Sequence, residues 1–591
     1  MEELELARNR NETRKFYHSL NQSRKEFKPK TNMCRKENGD IVSSEDEILE
    51  RWANYFGELL GGEREERNIV HTYENTQEVR EPDLEDIKRA TERLKSNKSP
   101  GSDGIVAELL KAGSDVIAEV LYKIIFRIWT EERMPQEWHE GIICPIHKKG
   151  DRLECRNYRG ITLLNVAYKI LSNIICDRIK PYAEEVLGEY QCGFRPNRST
   201  INQIFNLRQI LEKTTEFGID TYHLFIDFKA AYDSILRGKL YQAMNQMKVP
   251  KKLIDITKMT MSKVVCAVKI QNSVSRKFET ERGLRQGDAL ACLLFNIAME
   301  KVVRDAKLNQ RGNIFYKSTQ LLAYADDVDI ITRDTRQVKE NLNRFVAAAA
   351  DMGLEINEGK TKLLASTVQY QNRIGLSMEI GNYDFEVVPS FVYLGSMVTD
   401  KNDMTSEIQR RILRASKCYY GLLKHFRSSA LSRVSKIRIY KTLILPVLIY
   451  GSETWTLSKP NEQRLHIFER KILRRIFGAV NDNGQWRQRY NFELYQIYKE
   501  VAGGTDIITT IKLGRLRWAG HVVRAGDNSM IRNIFDATPT GTRRRGRPCL
   551  RWRDGIAEDA KRLDIGNWRR ASQDRLEWRR LLREARVRTG L

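Results

Sequence analysis

Eleven consecutive residues, Leu321-Leu322-Ala323-Tyr324-Ala325-Asp326-Asp327-Val328-Asp329-Ile330-Ile331, constrain this chain more than any other stretch. Apolar and aromatic β-formers flank two adjacent carboxylates, which predicts a hairpin presenting acids at its turn. Neighbouring carboxylates in an apolar setting repel each other and are costly to desolvate, and a divalent cation would offset that cost. Hard oxygen ligands suit Mg²⁺. A lone Asp-Asp pair is more often an ordinary acidic turn, but a second apolar run, His223-Leu224-Phe225-Ile226-Asp227, also ends on an acid. Two such strands side by side would gather Asp227, Asp326 and Asp327, enough to hold two metal ions about 4 Å apart.

The rest of the chain places these strands in a mixed setting. Short β-like runs at 141–147, 222–227, 264–271 and 321–332 alternate with helical patterns at 168–186, 238–247 and 290–306, which predicts an α+β fold. Helical periodicity also covers 45–60, 83–95 and 112–130, and returns with a basic character over 406–477. A chain of 591 residues divides into several units of roughly 100–200 residues. Lys and Arg exceed Asp and Glu by 24. Half of that excess falls in Ile511–Leu591, with 21 basic and 9 acidic residues. Such a balance suits a polyanionic partner. No apolar run reaches the roughly 18–20 residues of a membrane span, and the charged N-terminus is unlike a secretory signal. Nine cysteines without a C-x-x-C pair suggest neither a disulfide framework nor a zinc knuckle, which fits a reducing, intracellular setting in nucleus, cytoplasm or both.

The Tyr-Ala-Asp-Asp box at 324–327 resembles the catalytic box of reverse transcriptases, and Phe225-Ile226-Asp227 with Lys229-Ala230-Ala231-Tyr232-Asp233 is similar to their first palm motif in non-LTR (LINE-type) retrotransposons. The resemblance extends from about residue 85 to 480. It includes Ser99–Ile105, Pro145–Asp151, Asn157–Leu164, Gln191–Arg195 with Arg198-Ser199-Thr200, Gly283–Leu290, Gly353–Asn357 with Lys360-Thr361-Lys362, and Phe391–Gly395. It implies a right-hand polymerase fold with fingers at 85–216, palm at 217–400 and thumb at 401–480. These lie between an N-terminal helical extension at 1–84 and a basic, helical C-terminal region at 481–591.

The implied activity is RNA-directed DNA synthesis from a DNA primer on an RNA template. The implied cofactor is two Mg²⁺ ions, with Mn²⁺ as the alternative, held by Asp227, Asp326 and Asp327. By the same resemblance Lys148 (or Lys149) and Arg159 hold the dNTP triphosphate, Gln286 and Gly287 contact the nucleotide, and Tyr232 excludes a 2′-hydroxyl. Lys360 or Lys362 is the candidate general acid, and Gln191–Arg195 is expected to lie against template. The sequence departs from the family at Gly160, where Pro is common, and at Ala291-Cys292, where Ser-Pro is usual. Leu516–His521 and Gly546–Asp554 look like C-terminal segments of animal non-LTR elements, where Arg beside Trp would grip the element's own RNA by phosphate contact and stacking. About 80 residues precede the fingers motifs, too few for the endonuclease such elements usually carry, which suggests a fragment, a truncated gene model or a degenerate copy. A catalytically impaired relic that only binds nucleic acid is therefore the alternative. A group II intron maturase shares the palm but not the C-terminal segments.

Overall fold

The computed structural model describes residues 2–24, 33–62, 72–308, 314–367, 375–543 and 550–587. Its centre is a four-stranded antiparallel sheet in the order Thr319–Tyr324, Asp327–Thr332, Thr221–Ile226, Lys362–Ser366. Register pairs Tyr324 with Asp327 across the hairpin, Val328 with Ile226, and Phe225 with Lys362. All six residues of Thr221–Ile226 are buried, so this strand reads as a continuous run rather than an alternation. Its one polar ring, His223, is satisfied inside the sheet by Asp329 Oδ2 at 3.3 Å and Thr221 Oγ1 at 3.1 Å. The Thr335–Asp351 helix packs on the Asp327–Thr332 and Thr221–Ile226 strands, and the Thr200–Phe217 helix on Thr319–Tyr324.

A second sheet pairs Glu140–His147 antiparallel with Tyr158–Leu163 and parallel with Val264–Ile270. The Gly283–Asp288 loop ties it to the first. Thr162 N donates to Gln286 O at 2.8 Å, and Gly287 has φ +122°, a conformation that favours glycine. A Cβ there would also meet Thr162 O at 2.6 Å.

The first 84 residues do not form one extension. Two short helices, Glu2–Asn9 and Thr13–Arg24, bury Leu4, Phe16 and Leu20 among the helices that follow residue 404. The Glu45–Leu60 helix instead lays Ile48, Trp52 and Phe56 on the second sheet, against Ile143, Val264 and Phe278. Each segment is amphipathic but too short to bury its apolar stripe alone. Gly160 faces this helix, and a Cβ at 160 would come within 2.8 Å of Phe56 and Ile143. Glycine at the position where the family commonly has Pro thus fits the local packing.

Beyond residue 404 the chain is almost wholly helical. The Ser390–Tyr393/Ser396–Thr399 hairpin links it to the central sheet: Phe391 stacks on Phe225 at 4.3 Å, and the buried Arg208 donates to Met397 O at 2.8 Å. In the C-terminal region Trp552, Trp568 and Trp578 are buried, whereas Trp486 is exposed. Trp552 is fully buried against Phe205, with ring centroids 4.8 Å apart, and donates its indole N–H to Glu453 O at 2.8 Å. Trp578 donates to Leu516 O at 3.1 Å, and Trp518 lies between Phe205 and His521. The expectation that arginine-flanked tryptophans stack on RNA bases is therefore corrected for Trp552, because its ring closes a core. Most of the Arg/Gly/Pro cluster at 543–548 lies outside the described residues.

Candidate active site

The acidic hairpin turns through Ala325 and Asp326, the two residues between the paired Tyr324 and Asp327. Ala325 has φ +56°, a left-handed conformation that costs an L-residue on the order of 1–2 kcal/mol. The strain is held from outside. Gln191 Oε1 accepts from Ala325 N at 2.8 Å while its amide nitrogen donates to Ala325 O at 3.3 Å. Gln203 Nε2 donates to Ala323 O at 2.8 Å, and Cys192 N to the same carbonyl at 2.9 Å. Gly193 sits so close that a Cβ would overlap the Ala325 backbone nitrogen. Gln191–Gly193, expected beside template, thus braces the carboxylate turn, while the neighbouring Phe194 ring is exposed near Tyr324.

Three carboxylates meet at this turn. Asp227 ends the central strand; its backbone N–H donates to Thr361 Oγ1 at 3.2 Å and its carbonyl accepts from Asn357 N at 2.7 Å. Asp327 reaches solvent, yet desolvation and then Asp326 and Asp227 push its pKa up to about 7. Burial also raises Asp326, with Asp227 adding to it and Arg159 and Lys148 opposing. The set therefore carries excess negative charge that a cation would relieve. Lys360 already plays that part toward Asp227, with Nζ 3.1 Å from Oδ2. Among the described residues no three His, Cys, Asp or Glu side chains converge tightly enough to grip an ion as they stand. The oxygen donors fit a hard divalent ion if Asp227 exchanges the ammonium for it.

Cationic and aromatic groups close the other side. Lys148 and Arg159, from the facing ends of the paired strands in the second sheet, lie within electrostatic reach of Asp326. Burial and the Arg159 charge lower the Lys148 pKa. Tyr232 stacks on Phe295 at 4.5 Å, and its buried hydroxyl has Cys292, Asp326 and Arg159 for neighbours. Cys292 thus occupies the space beside the tyrosine at the second departure from the family motif. Gln286 does not point freely into the site: its amide donates to both oxygens of Asp233, at 2.8 and 2.9 Å. Burial raises Asp233 to about 6, against the pull of Gln286, Lys148 and Arg159.

Of the two candidate acids, Lys360 is in the site and Lys362 is turned away, with Nζ 2.8 Å from Glu386 Oε2. Gly287 packs on Thr162 O. Two contributors escaped the sequence reading. Asp233 stood inside a quoted motif, and only the bidentate Gln286 contact shows that it is a charged wall of the site. Gln191 stands far from Ala325 in sequence and carries no periodic signal. Arg285, in the same loop as Gln286, is structural: it donates to Trp138 O and His139 O at 3.1 and 2.9 Å and lies over Tyr168.

Paired acidic strands, a two-residue turn and an opposed Lys/Arg pair thus share one site. Residues 146–396 match the family described as reverse transcriptase (RNA-dependent DNA polymerase). An uncharacterised transposon-derived protein of Caenorhabditis elegans is 27% identical over 44% of this chain and 94% of its own length. A 149 kDa protein of transposon TX1 from Xenopus laevis is 25% identical over 47% of this chain and 22% of its own. The RNA-directed DNA polymerase from mobile element jockey of Drosophila melanogaster is 23% identical over 67% of this chain and 44% of its own. Residues 146–396 thus match a reverse transcriptase domain, and the chain is similar to RNA-directed DNA polymerases of the transposons BS, X-element and jockey from Drosophila melanogaster. It spans less than half the length of the fly and frog relatives, and nearly all of the worm protein.

Proposed function

We propose that this chain is an RNA-directed DNA polymerase that extends a DNA primer on an RNA template. The observation that carries this reading is the Asp326-Asp327 turn set against Asp227 and opposed by Lys148 and Arg159. Asp227, Asp326 and Asp327 are the metal ligands in this proposal, with Mg²⁺ the preferred ion. When bound, two such ions would acidify the primer 3′-hydroxyl and stabilise the departing pyrophosphate. Arg159 and Lys148 receive the triphosphate, Arg by its planar fork and Lys as a point charge. Tyr232, fixed by its stack on Phe295, forms the floor under the sugar and excludes a 2′-hydroxyl by bulk. Gln286 orients Asp233 before nucleotide arrives and is available to the nucleotide once Asp233 pairs with Lys148 or Arg159. Lys360, released from Asp227, is the group placed to give a proton to pyrophosphate.

In this reading the fingers lie at 85–216, the palm at 217–400 and the thumb at 401–480, and the protein works inside the cell, in nucleus or cytoplasm. No helix among the described residues is long and apolar enough to cross a membrane. The fit of Gly160 beneath Phe56, and of Cys292 beside Tyr232, favours a working enzyme over a relic. The test is dNTP incorporation on an RNA template with a DNA primer in Mg²⁺, comparing the wild type with Asp326→Ala/Asp327→Ala. Incorporation by the wild type and none by the double variant is expected. A folded, RNA-binding wild type that incorporates nothing would leave only the relic.

A further inference from the structure

On the far side of the brace that holds the catalytic turn lies a cavity of about 1280 Å³ whose charged lining is almost entirely arginine. One wall is the loop Pro196-Asn197-Arg198, which continues directly from Gln191–Gly193. The second wall is the C-terminal half of the Ile507–Val523 helix, with Arg517, His521 and then Arg524. The third is the Arg575–Val587 helix, which presents Arg575, Arg579 and Arg583 at successive i, i+4 positions, and so on one face. The only carboxylate in the lining, Glu184, is taken by Arg195 at 2.9 Å.

This is not simply the solvated side of a basic helix. On the same helix Arg580, outside the cavity, pairs with Glu577 and Glu584 at 2.7 and 2.8 Å. Among the described residues, none of Arg517, Arg524, Arg575, Arg579 or Arg583 forms an ion pair. Like charges spaced i, i+4 oppose the helix that carries them. Their repulsion also shows on their neighbours: burial, then Arg524, Arg198 and Arg575, hold His521 below its ordinary pKa, and Arg575 and Arg579 act likewise on Arg524. A concave cluster of this kind is stabilised by a polyanion with several regularly spaced charges. No aromatic face is offered to a base, since Trp578 is buried with its N–H spent on Leu516 O. The recognition is of phosphates, not of sequence.

We propose that this cavity holds the sugar–phosphate backbone of the single-stranded RNA template outside the catalytic cleft. The position of the loop favours this strand over other polyanions. Residues 191–199 touch the carboxylate turn at one end and line the cavity at the other, with the exposed Phe194 ring between them. A strand leaving the turn along this loop runs into the arginines. The proposal rests on the polymerase reading, because that reading is what makes the nearest polyanion a template.

The test uses the full chain and a labelled oligouridylate, with affinity measured over a series of salt concentrations. Arg575→Gln/Arg579→Gln/Arg583→Gln is compared with an equally discharged control on another helix, Arg336→Gln/Lys339→Gln/Arg344→Gln. Each lost contact with a single-stranded phosphate should lower the slope of log K against log salt by about 0.7, so the cavity variant should lose about 2. Affinity at low salt should fall at least about tenfold while the control stays near wild type. Lysine at the three positions should restore most of the binding. Equal losses in cavity and control variants would overturn the proposal, as would a loss confined to duplex DNA. The binding readout needs no catalysis. An inactive wild type showing the slope difference would sink the polymerase reading and leave the cavity a site for RNA that is not a template, and an active one without it would sink the cavity alone.

Discussion

At the scale of single residues, the site depends on a backbone conformation that its own sequence disfavours. Ala325 is left-handed, and the strain persists because Gln191 grips both of its backbone polar groups and Gly193 leaves room for the approach. This separates two substitutions that look equally mild. Gly193→Ala puts a methyl where the Ala325 nitrogen sits, and overpacking of this kind costs about 1–3 kcal/mol. Incorporation should drop more than about tenfold, through displacement of Asp326 and Asp327, with all three carboxylates intact. Ala325→Gly removes the penalty for positive φ and should leave the thermal midpoint equal to the wild type or higher. Steady-state incorporation and thermal melting on the two variants decide the matter. A fully active Gly193→Ala enzyme would show that the brace does not set the turn.

Elements were legible to the extent that their signals were local. The acidic hairpin, the Glu45–Leu60 helix and the strand ending at Asp227 follow from apolar spacing and turn chemistry within a dozen residues, and the structure places them within a residue or two of expectation. That Asp227 would lie near the Asp326-Asp327 turn was readable because two strands ending on acids can pair, and Thr221–Ile226 does pair with Asp327–Thr332. Gln191 on Ala325, Gln286 on Asp233, and Lys362 turning to Glu386 were not, since each is a tertiary contact between residues with no common period. Nor could the sequence tell a stacking tryptophan from a core one.

The helical region after residue 404 holds a further contact of this kind. Glu469, on the Lys459–Phe477 helix, is 1% exposed and accepts from Tyr440 OH, Tyr495 OH and Ile507 N at 2.9, 3.1 and 2.9 Å. Burial raises its pKa to about 7, and the nearby Asp506 adds to the shift against those donors. A carboxyl raised in the folded state contributes stability that is fully present below its unfolded pKa, near 4.5, and is lost as pH rises through about 7. The span corresponds to something on the order of 3 kcal/mol. The wild type should therefore lose stability relative to Glu469→Gln between about pH 5 and about pH 8. Urea midpoints for both proteins across that range measure it, and parallel curves would rule the linkage out.

At the scale of the whole molecule, one helix joins parts that the chain writes far apart. Thr200–Phe217 sends Gln203 to the Ala323 carbonyl beside the catalytic turn and Arg208 to the Met397 carbonyl of the linking hairpin. It sends Phe205, Glu212 and Lys213 into the C-terminal region. Phe205 meets Trp518, Phe535 and Trp552; Glu212 accepts the backbone N–H of Trp552 at 2.9 Å; Lys213 donates to the carbonyls of Ile534 and Phe535 at 2.7 and 2.8 Å. The C-terminal helices are thus part of the support of the active site, although none of their residues touches it. Trp552→Ala should then act at a distance. It opens a cavity against Phe205 and strands the Glu453 carbonyl, a loss of about 3–5 kcal/mol. The effect on catalysis should depend on temperature, with near-normal incorporation well below the melting transition and a steep early loss on warming. Asp326→Ala/Asp327→Ala should show the reverse, with no incorporation at any temperature and a thermal midpoint at or above the wild type, because the substitution relieves crowded carboxylates. If Trp552→Ala lowered the midpoint while the temperature profile of incorporation stayed wild-type, the C-terminal helices would be an independent unit, and the long helix would not couple them to the catalytic turn.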